Sequence, residues 1–239
     1  MQIGFSEVAC DLSRSSPRQQ GRATLDGRPC ARFLYAPWMN SAAADTGVII
    51  CLVGFPGAGK LTIARALSQL IDATIVDNHW INDPILRLIA ATDARAVPEA
   101  IWPQVAKVRS AVLETMATLS PQAASFIFTY AGANEDPEDR KAFEEYRDVA
   151  ARRGGRFIAV RLLCSEAELV RRIQSPERRG RKLTDPAEAA DNVRHYSPLD
   201  PGLPGSLTID VTDLTPQVVA ARILDHINRS DPKSRATLS

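Results

Sequence analysis

From Gly47 onward, short apolar runs typical of buried strands alternate with segments whose apolar residues have helical spacing. Short apolar runs predict buried strands, and longer segments with apolar residues at helical spacing predict helices. Strands that alternate with helices in this way are typical of a parallel sheet covered by helices on both faces. The predicted strands are 48–53, 73–76, 125–130, 156–163 and 207–211.

The helices expected between these strands are marked by capping residues at several of their ends. They are expected over about 60–71, over 84–119 with breaks near Pro98 and Pro103, over 137–153 after a cap at Asn134 or Asp136, over 166–173 after Ser165, and over 216–227. No internal repeat interrupts this order. The pattern therefore predicts one α/β domain over residues 46–229.

The two ends of the chain lack such a pattern. Residues 1–45 are rich in Arg and Ser and offer too little apolar surface to offset the entropy of ordering, so we expect a disordered or loosely ordered extension there. Its Arg residues are compatible with a transit peptide, but the amphipathic helix and the apolar segment of a targeting signal are missing. A start at Met39 is an alternative. Residues 230–239 are expected to fray.

Composition narrows the class of protein and of partner. With 45% hydrophobic and 24% charged residues, the 239-residue chain is typical of a soluble globular protein. No apolar run reaches the roughly 18–20 residues of a membrane helix, and a net charge of +1 gives no reason to expect a nucleic-acid or membrane partner. The four Cys residues show no paired spacing, which fits a reducing cytoplasm. The oligomeric state is not indicated.

The stretch between the first strand and the first helix carries the clearest chemical signal. Its glycines allow positive φ and a close approach of the backbone to phosphate, and the amides at a helix N-terminus attract anions. Its lysine stands where a lysine reaches the terminal phosphates of ATP. We therefore predict that ATP is bound by Gly54, Pro56, Gly57, Ala58, Gly59, Lys60, Leu61 and Thr62.

This loop departs from the full phosphate-binding pattern at one position. Leu61 follows Lys60, where Ser or Thr normally offers a hydroxyl to Mg²⁺. Thr62 lies one residue later and is expected on an inner phosphate, and Leu61 is expected to face the core between helix and sheet. Ligands for Mg²⁺ must therefore come from elsewhere in the chain.

Four segments together resemble the nucleoside-monophosphate kinase and shikimate kinase superfamily, and most of all its small kinase-like proteins with a Gly-Lys-Leu-Thr loop. The matching segments, within residues 47–228, are Gly59-Lys60-Leu61-Thr62, Asn78-His79, Phe126-Ile127-Phe128-Thr129 and Lys182-Leu183-Thr184-Asp185. The resemblance implies a three-layer P-loop NTPase fold with strand order 2-3-1-4-5, a helical substrate insertion, a lid, and ATP and Mg²⁺ as cofactors. It also implies that Asp210-Val211-Thr212 lies near the adenine.

A second basic cluster runs from Arg171 to Lys182 and is opposed only by Glu177. By the resemblance, the segment from about 174 to 186 would be the lid that closes over the nucleotide. Arg172 and Arg178 are the first candidates for phosphate contacts, Arg178 as a catalytic residue, and Lys182 is the next. The alternative is a solvated basic surface loop, which is the usual fate of charge runs.

Asp77 ends the second predicted strand and is the candidate for metal or acid–base chemistry. It would order Mg²⁺ through water or accept the proton of a substrate hydroxyl, unless it is only a helix cap or turn residue. The neighbouring substrate candidates are Asn78 and His79, the latter either an acid–base group or a structural residue. Thr129, at the end of a strand that lacks the usual acidic residue, is a further candidate. Arg109 is the last, against the alternative of a surface salt bridge.

These observations favour a cytoplasmic kinase of a small metabolite that transfers the γ-phosphoryl group of ATP to a hydroxyl. Lys60, Asp77 and Arg178 are the expected catalytic residues. A nucleotide-binding switch or interaction module without transfer activity remains an alternative, supported by Leu61 and Thr129. An enzyme that phosphorylates nucleotides or nucleic-acid ends is a third, disfavoured by the near-neutral charge.

Overall fold

Five parallel strands form the centre of the fold in a computed structural model that describes residues 46–89, 97–175 and 186–230. The sheet has the order β2-β3-β1-β4-β5, and every pairing is parallel, which confirms the predicted three-layer P-loop fold and strand order. The strands are β1 Val48–Val53, β2 Ala73–Asp77, β3 Ser125–Tyr130, β4 Arg156–Leu163 and β5 Leu207–Asp210. The predictions for residues 1–45, for most of the lid and for 231–239 lie outside the described residues.

Helices cover both faces of this sheet. Asp136, Ser165 and Thr215 each accept a hydrogen bond from a backbone N–H in the first turn of the helix that follows, as expected for side-chain caps. The α-helices are α1 Lys60–Ser68, α2 Asn78–Leu86, α3 Trp102–Thr118, α4 Pro137–Arg152, α5 Glu166–Ile173, α6 Pro186–His195 and α7 Pro216–Arg229, and short 3₁₀ turns lie at Arg87–Ile89 and Glu99–Ile101.

The helical segment after β2 differs from the prediction at its start. It begins at Asn78, directly after the strand, and not at Pro84, which lies inside α2. Pro103 does not break the next helix, because it lies in the first turn of α3, where a missing N–H costs no intrahelical hydrogen bond. The direct entry from β2 into α2 matters for the site, since it places Asp77 at the junction.

Alternate residues of the central strand β1 face two separate cores. Ile50 and Leu52 pack with α1 and α7, whereas Ile49, Cys51 and Val53 pack with α3 and α4. Cys51 acts as a small hydrophobic residue, and burial raises the pKa of its thiol above the ordinary value. The expectation for Leu61 is wrong: this residue is only half-buried and belongs to neither core, since Ile63 and Ala64 are the residues at the start of α1 that face the sheet.

A buried arginine connects several segments at the amino end of the sheet. Arg153, only 2% exposed, follows α4 and lies over the ring of Phe126 at 5.3 Å. Its Nη1 donates to the Met116 carbonyl at 2.5 Å, and its Nη2 donates to the carbonyls of Pro121, Gln122 and Ala124 at 2.6, 3.1 and 3.0 Å. Burial lowers the pKa of this guanidinium. Arg153 therefore ties α4 to the end of α3 and to the turn before β3.

Candidate functional site

The loop between β1 and α1 has the backbone geometry that the sequence predicts. Gly57 and Gly59 adopt φ angles of 97° and 84°, in the left-handed region that other L-residues rarely adopt. Gly59 is the N-cap of α1, and its carbonyl accepts the first helical bond from Ile63 N–H at 2.9 Å. The loop therefore turns directly into the positive end of a helix, which is the arrangement that binds phosphate.

The loop packs closely against β3, β4 and α5. Gly54 N–H donates to the Tyr130 carbonyl at the end of β3 at 3.1 Å, and a Cβ on Gly54 would lie 2.9 Å from the Leu162 carbonyl of β4. A Cβ on Gly57 would lie 3.0 Å from the side chain of Leu169 on α5. A side chain at either glycine would therefore meet its neighbours too closely.

Lys60 lies folded over the loop. Its Nζ donates to the carbonyls of Gly54 and Phe55, at 2.5 and 3.0 Å. These bonds hold the ammonium group against the first two residues of the loop. Thr62 is exposed and Leu61 half-buried in the first turn of α1.

Asp77, Asn78, His79 and Thr129 come together at the junction of β2 with α2. The register pairs Asp77 with Thr129 across the two neighbouring strands. The Thr129 hydroxyl donates to Asp77 Oδ1 at 2.7 Å and accepts from Asn78 N–H at 3.1 Å, and His79 Nδ1 lies 3.2 Å from the same Oδ1. Asp77 is only 7% exposed. A buried carboxylate oriented by a hydroxyl thus lies at the edge of the sheet that also holds the phosphate loop.

Thr129 forms its hydrogen bonds within the protein in this arrangement, and its predicted contact with substrate stays a prediction. Its hydroxyl both donates to Asp77 and accepts from Asn78 N–H, so its proton is already used within the protein. We therefore interpret Thr129 as the residue that positions Asp77.

Arg172, at the end of α5, lies beside the phosphate loop. A Cβ on Gly59 would lie 3.7 Å from its Nη1, so the guanidinium group borders the loop. Its Nη2 donates to the carbonyls of Val211 and Thr212 at 2.9 and 3.0 Å, which are in the segment expected near the adenine. Glu168 accepts from its Nε at 2.6 Å. Arg172 thus links the phosphate loop to the segment after β5.

Two carboxylates beside this link have lowered pKa values. Hydrogen bonds from Arg171 and then Arg172 lower the pKa of Glu168 to about 2. The Thr212 hydroxyl and N–H lower the pKa of Asp210 in the same way. Both groups therefore stay ionised and hold Arg172 and the 210–212 segment in place at neutral pH.

Arg109, on α3, does not join the Asp77 cluster through any described hydrogen bond. It donates from Nε to Glu145 on α4 at 2.7 Å. Burial disfavours its charged form, but the bond to Glu145 and the nearby charges outweigh this effect, so the pKa of Arg109 is raised.

Arg178 and Lys182, the remaining basic candidates, lie outside the described residues. Their predicted contacts with phosphate therefore stay predictions, and so does the closure of the lid.

The sequence did not predict the junction between the loop after β3 and the segment after α6. Asn134 N–H donates to the Ser197 carbonyl at 3.0 Å, Leu199 N–H donates to the Gly132 carbonyl at 2.9 Å, and Glu135 accepts from both the N–H and the hydroxyl of Ser197. These bonds from Ser197 lower the pKa of Glu135. Because the partners are about 60 residues apart, no local pattern in the sequence signals the junction.

A cavity of about 270 Å³ lies between this junction and the phosphate loop. Its lining includes Phe55 and Ala58 of the loop, Leu163 of β4 and Tyr196 after α6. Within residues 46–89, 97–175 and 186–230, no group of three or more His, Cys, Asp or Glu side chains is arranged to hold a metal ion. In the same part of the chain, every helix is too short or too polar to cross a bilayer.

Comparisons with known proteins identify the architecture. The described fold matches a solved structure from Chloroflexus aurantiacus that is classed as a kinase with no substrate named, at a TM-score of 0.56 and 21% identity, over 78% of this chain and 98% of that one. The chain has the P-loop kinase fold. A sugar kinase from Janibacter sp. matches this fold at a TM-score of 0.52 and 19% identity, over 77% of this chain and 96% of that one. A gluconokinase from Sinorhizobium meliloti matches at 0.50 and 17%, over 77% and 92%.

Similarity to these proteins lies in the fold, since the identities are low. No protein-family model matches the sequence, and no curated protein is similar enough in sequence to be matched.

Proposed function

We propose that this protein is an ATP-dependent kinase that transfers the γ-phosphoryl group to a hydroxyl of a small metabolite. One observation carries the proposal: the phosphate loop and the buried Asp77 lie at the same carboxyl edge of one sheet. Ligands of open parallel sheets bind at this edge. The solved kinases of similar fold support the reaction class, and two of them are a sugar kinase and a gluconokinase.

ATP fits the loop on the evidence of its backbone. The positive φ angles of Gly57 and Gly59 allow a close approach of the backbone to phosphate, the amides of the first turn of α1 lack helical partners, and the Lys60 ammonium group lies against the same loop. Arg172 borders Gly59 and contacts the segment after β5, so it fits a position between the phosphates and the base.

Mg²⁺ fits the site through few protein ligands. Asp77 is one buried carboxylate, and Mg²⁺ commonly uses one or two carboxylates together with waters and substrate phosphates. When bound, the ion supplies neutralisation of charge on the transferring phosphoryl group. The absence of a hydroxyl at Leu61 is compatible with such water-mediated binding.

In the proposed reaction, the bond between the γ-phosphorus and the bridging oxygen of ADP breaks, and a bond from the acceptor oxygen to that phosphorus forms. The acceptor hydroxyl loses its proton to Asp77, whose carboxylate Thr129 holds in one orientation. Lys60 and the loop amides stabilise the charge that moves onto the departing ADP. His79, at 3.2 Å from Asp77, offers a route by which that proton leaves.

The proposal is tested by ATP binding and turnover of the Lys60→Met variant. With Mg²⁺ and ATP at about 100 times its dissociation constant, the wild type should gain about 2.7 kcal/mol in the free energy of unfolding. Lys60→Met should lose most of this gain in a thermal-shift measurement, because it removes the cation above the loop. Lys107→Met, which changes an exposed lysine on α3, is the matched control and should keep the gain.

ADP release then separates a kinase from a nucleotide-binding switch. The wild type should form ADP above the level of Lys60→Met, slowly with water and faster with an acceptor. If ATP stabilises the wild type but no ADP appears above that level with any acceptor, the switch is the better description. If millimolar ATP leaves the unfolding curve unchanged, nucleotide binding itself is refuted.

A further inference from the structure

The cations of the helical insertion already have partners within the protein. Among its described residues, 78–89 and 97–118, the Lys and Arg side chains are Arg87, Lys107 and Arg109. Arg87 pairs with Asp83 at 2.9 Å, Lys107 donates to Gln104 at 3.1 Å, and Arg109 pairs with Glu145 at 2.7 Å. An anionic group on an acceptor would have to displace one of these partners.

The arginines near the segment after α6 are likewise bonded to groups of the protein. Arg161 donates to the Pro198 carbonyl at 2.7 Å and pairs with Asp200 at 3.1 Å. Arg140 donates to the carbonyl of Asp200 at 2.6 Å, and Arg194 pairs with Glu166 at 2.9 Å. These side chains serve to fasten loops and helices to one another.

The buried polar group nearest the expected acceptor position is a carboxylate. Asp77 lies at the end of β2, and its Oδ1 contacts a hydroxyl and an imidazole. A carboxylate or phosphate on the acceptor would meet this group in a partly buried site, where repulsion between like charges is weakly screened.

Trp80 offers an apolar surface beside Asp77. Asp77 is the N-cap of α2 and Trp80 is its third helical residue, and side chains at these two positions lie on the same side of a helix start. The indole is 61% exposed, which is unusual for so large an apolar group. Indole rings stack on bases and pack against the apolar faces of rings.

We propose that the acceptor is an electrically neutral ring compound with hydroxyl groups, bound with one hydroxyl at Asp77 and its ring against Trp80. This inference rests on the proposed kinase function and adds the chemical class of its substrate. A neutral sugar and a nucleoside share this chemistry, whereas sugar acids and nucleoside monophosphates differ from them by one anionic group.

Matched pairs of acceptors test the proposal with the full-length protein, ATP and Mg²⁺. The pairs are glucose with glucuronate, galactose with galacturonate, and adenosine and cytidine with their 5′-monophosphates. ADP release should be stimulated by the neutral member of at least one pair, with a kcat/KM about 10-fold or more above that of the anionic member, because like charges repel in the site. The pair that responds distinguishes sugar from nucleoside.

Variants then test the two structural reasons separately. Trp80→Ala should raise KM for the neutral acceptor about 10-fold, with little change in kcat, since stacking contributes to binding. Leu119→Ala, which removes an exposed apolar side chain after α3, is the control and should change neither. Glu145→Gln should narrow the preference for the neutral member about 3- to 10-fold by releasing Arg109. Glu114→Gln, which breaks the other described ion pair between α3 and α4, is its control and should leave the preference unchanged.

The outcomes separate this inference from the proposed function. Faster ADP release with the anionic member of every active pair would overturn the inference and leave the kinase function standing. The same holds if no member of the pairs is active and ADP release is stimulated only by acyclic or anionic acceptors. An absence of ADP above the Lys60→Met level under all conditions would overturn both.

Discussion

The two ends of the sheet, where its strands begin (the amino edge) and where they end (the carboxyl edge), use polar groups in opposite ways. At the amino edge, the buried guanidinium group of Arg153 donates its hydrogen bonds to backbone carbonyls of the protein. At the carboxyl edge, Gly57 and Gly59 adopt positive φ angles in the loop before α1, and Asp77 is held by a hydroxyl and an imidazole. A charge that is enclosed by carbonyls of its own protein stabilises the fold, whereas the proposed function assigns chemistry to Asp77.

This comparison predicts a separation of effects. Substitutions at the carboxyl edge should reduce phosphoryl transfer with little loss of stability, and substitutions at the amino edge should do the reverse.

The largest effect is expected for Asp77→Asn. Phosphoryl transfer, measured as ADP release, should fall by about 10²–10⁴-fold, because the variant cannot accept the acceptor's proton. The dissociation constant for ATP should change by no more than about 3-fold, since loop amides and Lys60 provide most of the phosphate binding. Asp72→Asn, at the exposed residue directly before the same strand, is the control. Equal ADP release by Asp77→Asn and the wild type would refute the catalytic role.

At the opposite edge, Arg153→Met should lower the free energy of unfolding by about 3–5 kcal/mol, because buried carbonyls lose their donor. Urea unfolding measures this change. The folded variant should keep its kcat, which distinguishes it from Asp77→Asn. Arg152→Met, one residue earlier and exposed in an ion pair with Glu114, should cost less than about 1 kcal/mol. A matching loss of kcat in folded Arg153→Met would break the comparison.

Thr129→Val tests whether the hydrogen bond to Asp77 matters for phosphoryl transfer. Removal of the hydroxyl leaves Asp77 without its 2.7 Å donor, and we expect ADP release to fall about 10-fold with ATP binding unchanged. Thr129→Ser keeps the hydroxyl and should restore most of the rate. If Ser and Val behave alike, the shape of the side chain matters and the hydrogen bond does not.

The smallest effect is expected for the pH dependence of stability at Glu168. Its pKa is about 2 in the folded protein against an ordinary value of 4.5, so the folded state favours the ionised form. The stabilisation is therefore complete above about pH 4.5 and is lost as the pH falls toward 2. Glu168→Gln should show a flatter decline of the melting temperature over this window. Glu166→Gln, on the same helix, is the control, and an identical slope in wild type and Glu168→Gln would contradict the prediction.

Local sequence patterns predicted most elements because their causes are local. The bounds of β1, β3, β4 and α5 agree with the structure, since apolar runs and caps such as Ser165 act on their own segments. The start of α2 was placed too late, because Pro84 resembles a helix start and is tolerated inside the helix. The prediction that Leu61 faces the core was wrong, because helical spacing alone does not determine which residues of the first turn are buried.

The sequence by itself determined the phosphate loop, because nine consecutive residues contain both its glycines and its lysine, and backbone conformation depends on local residues. Only the tertiary structure decided what Asp77 and Thr129 do together, since they lie 52 residues apart and meet through the register of β2 with β3. The same holds for the partner of Arg109 on α4, and for the carbonyls around Arg153. Side-chain contacts between distant segments depend on strand order and packing, which no short stretch of sequence contains.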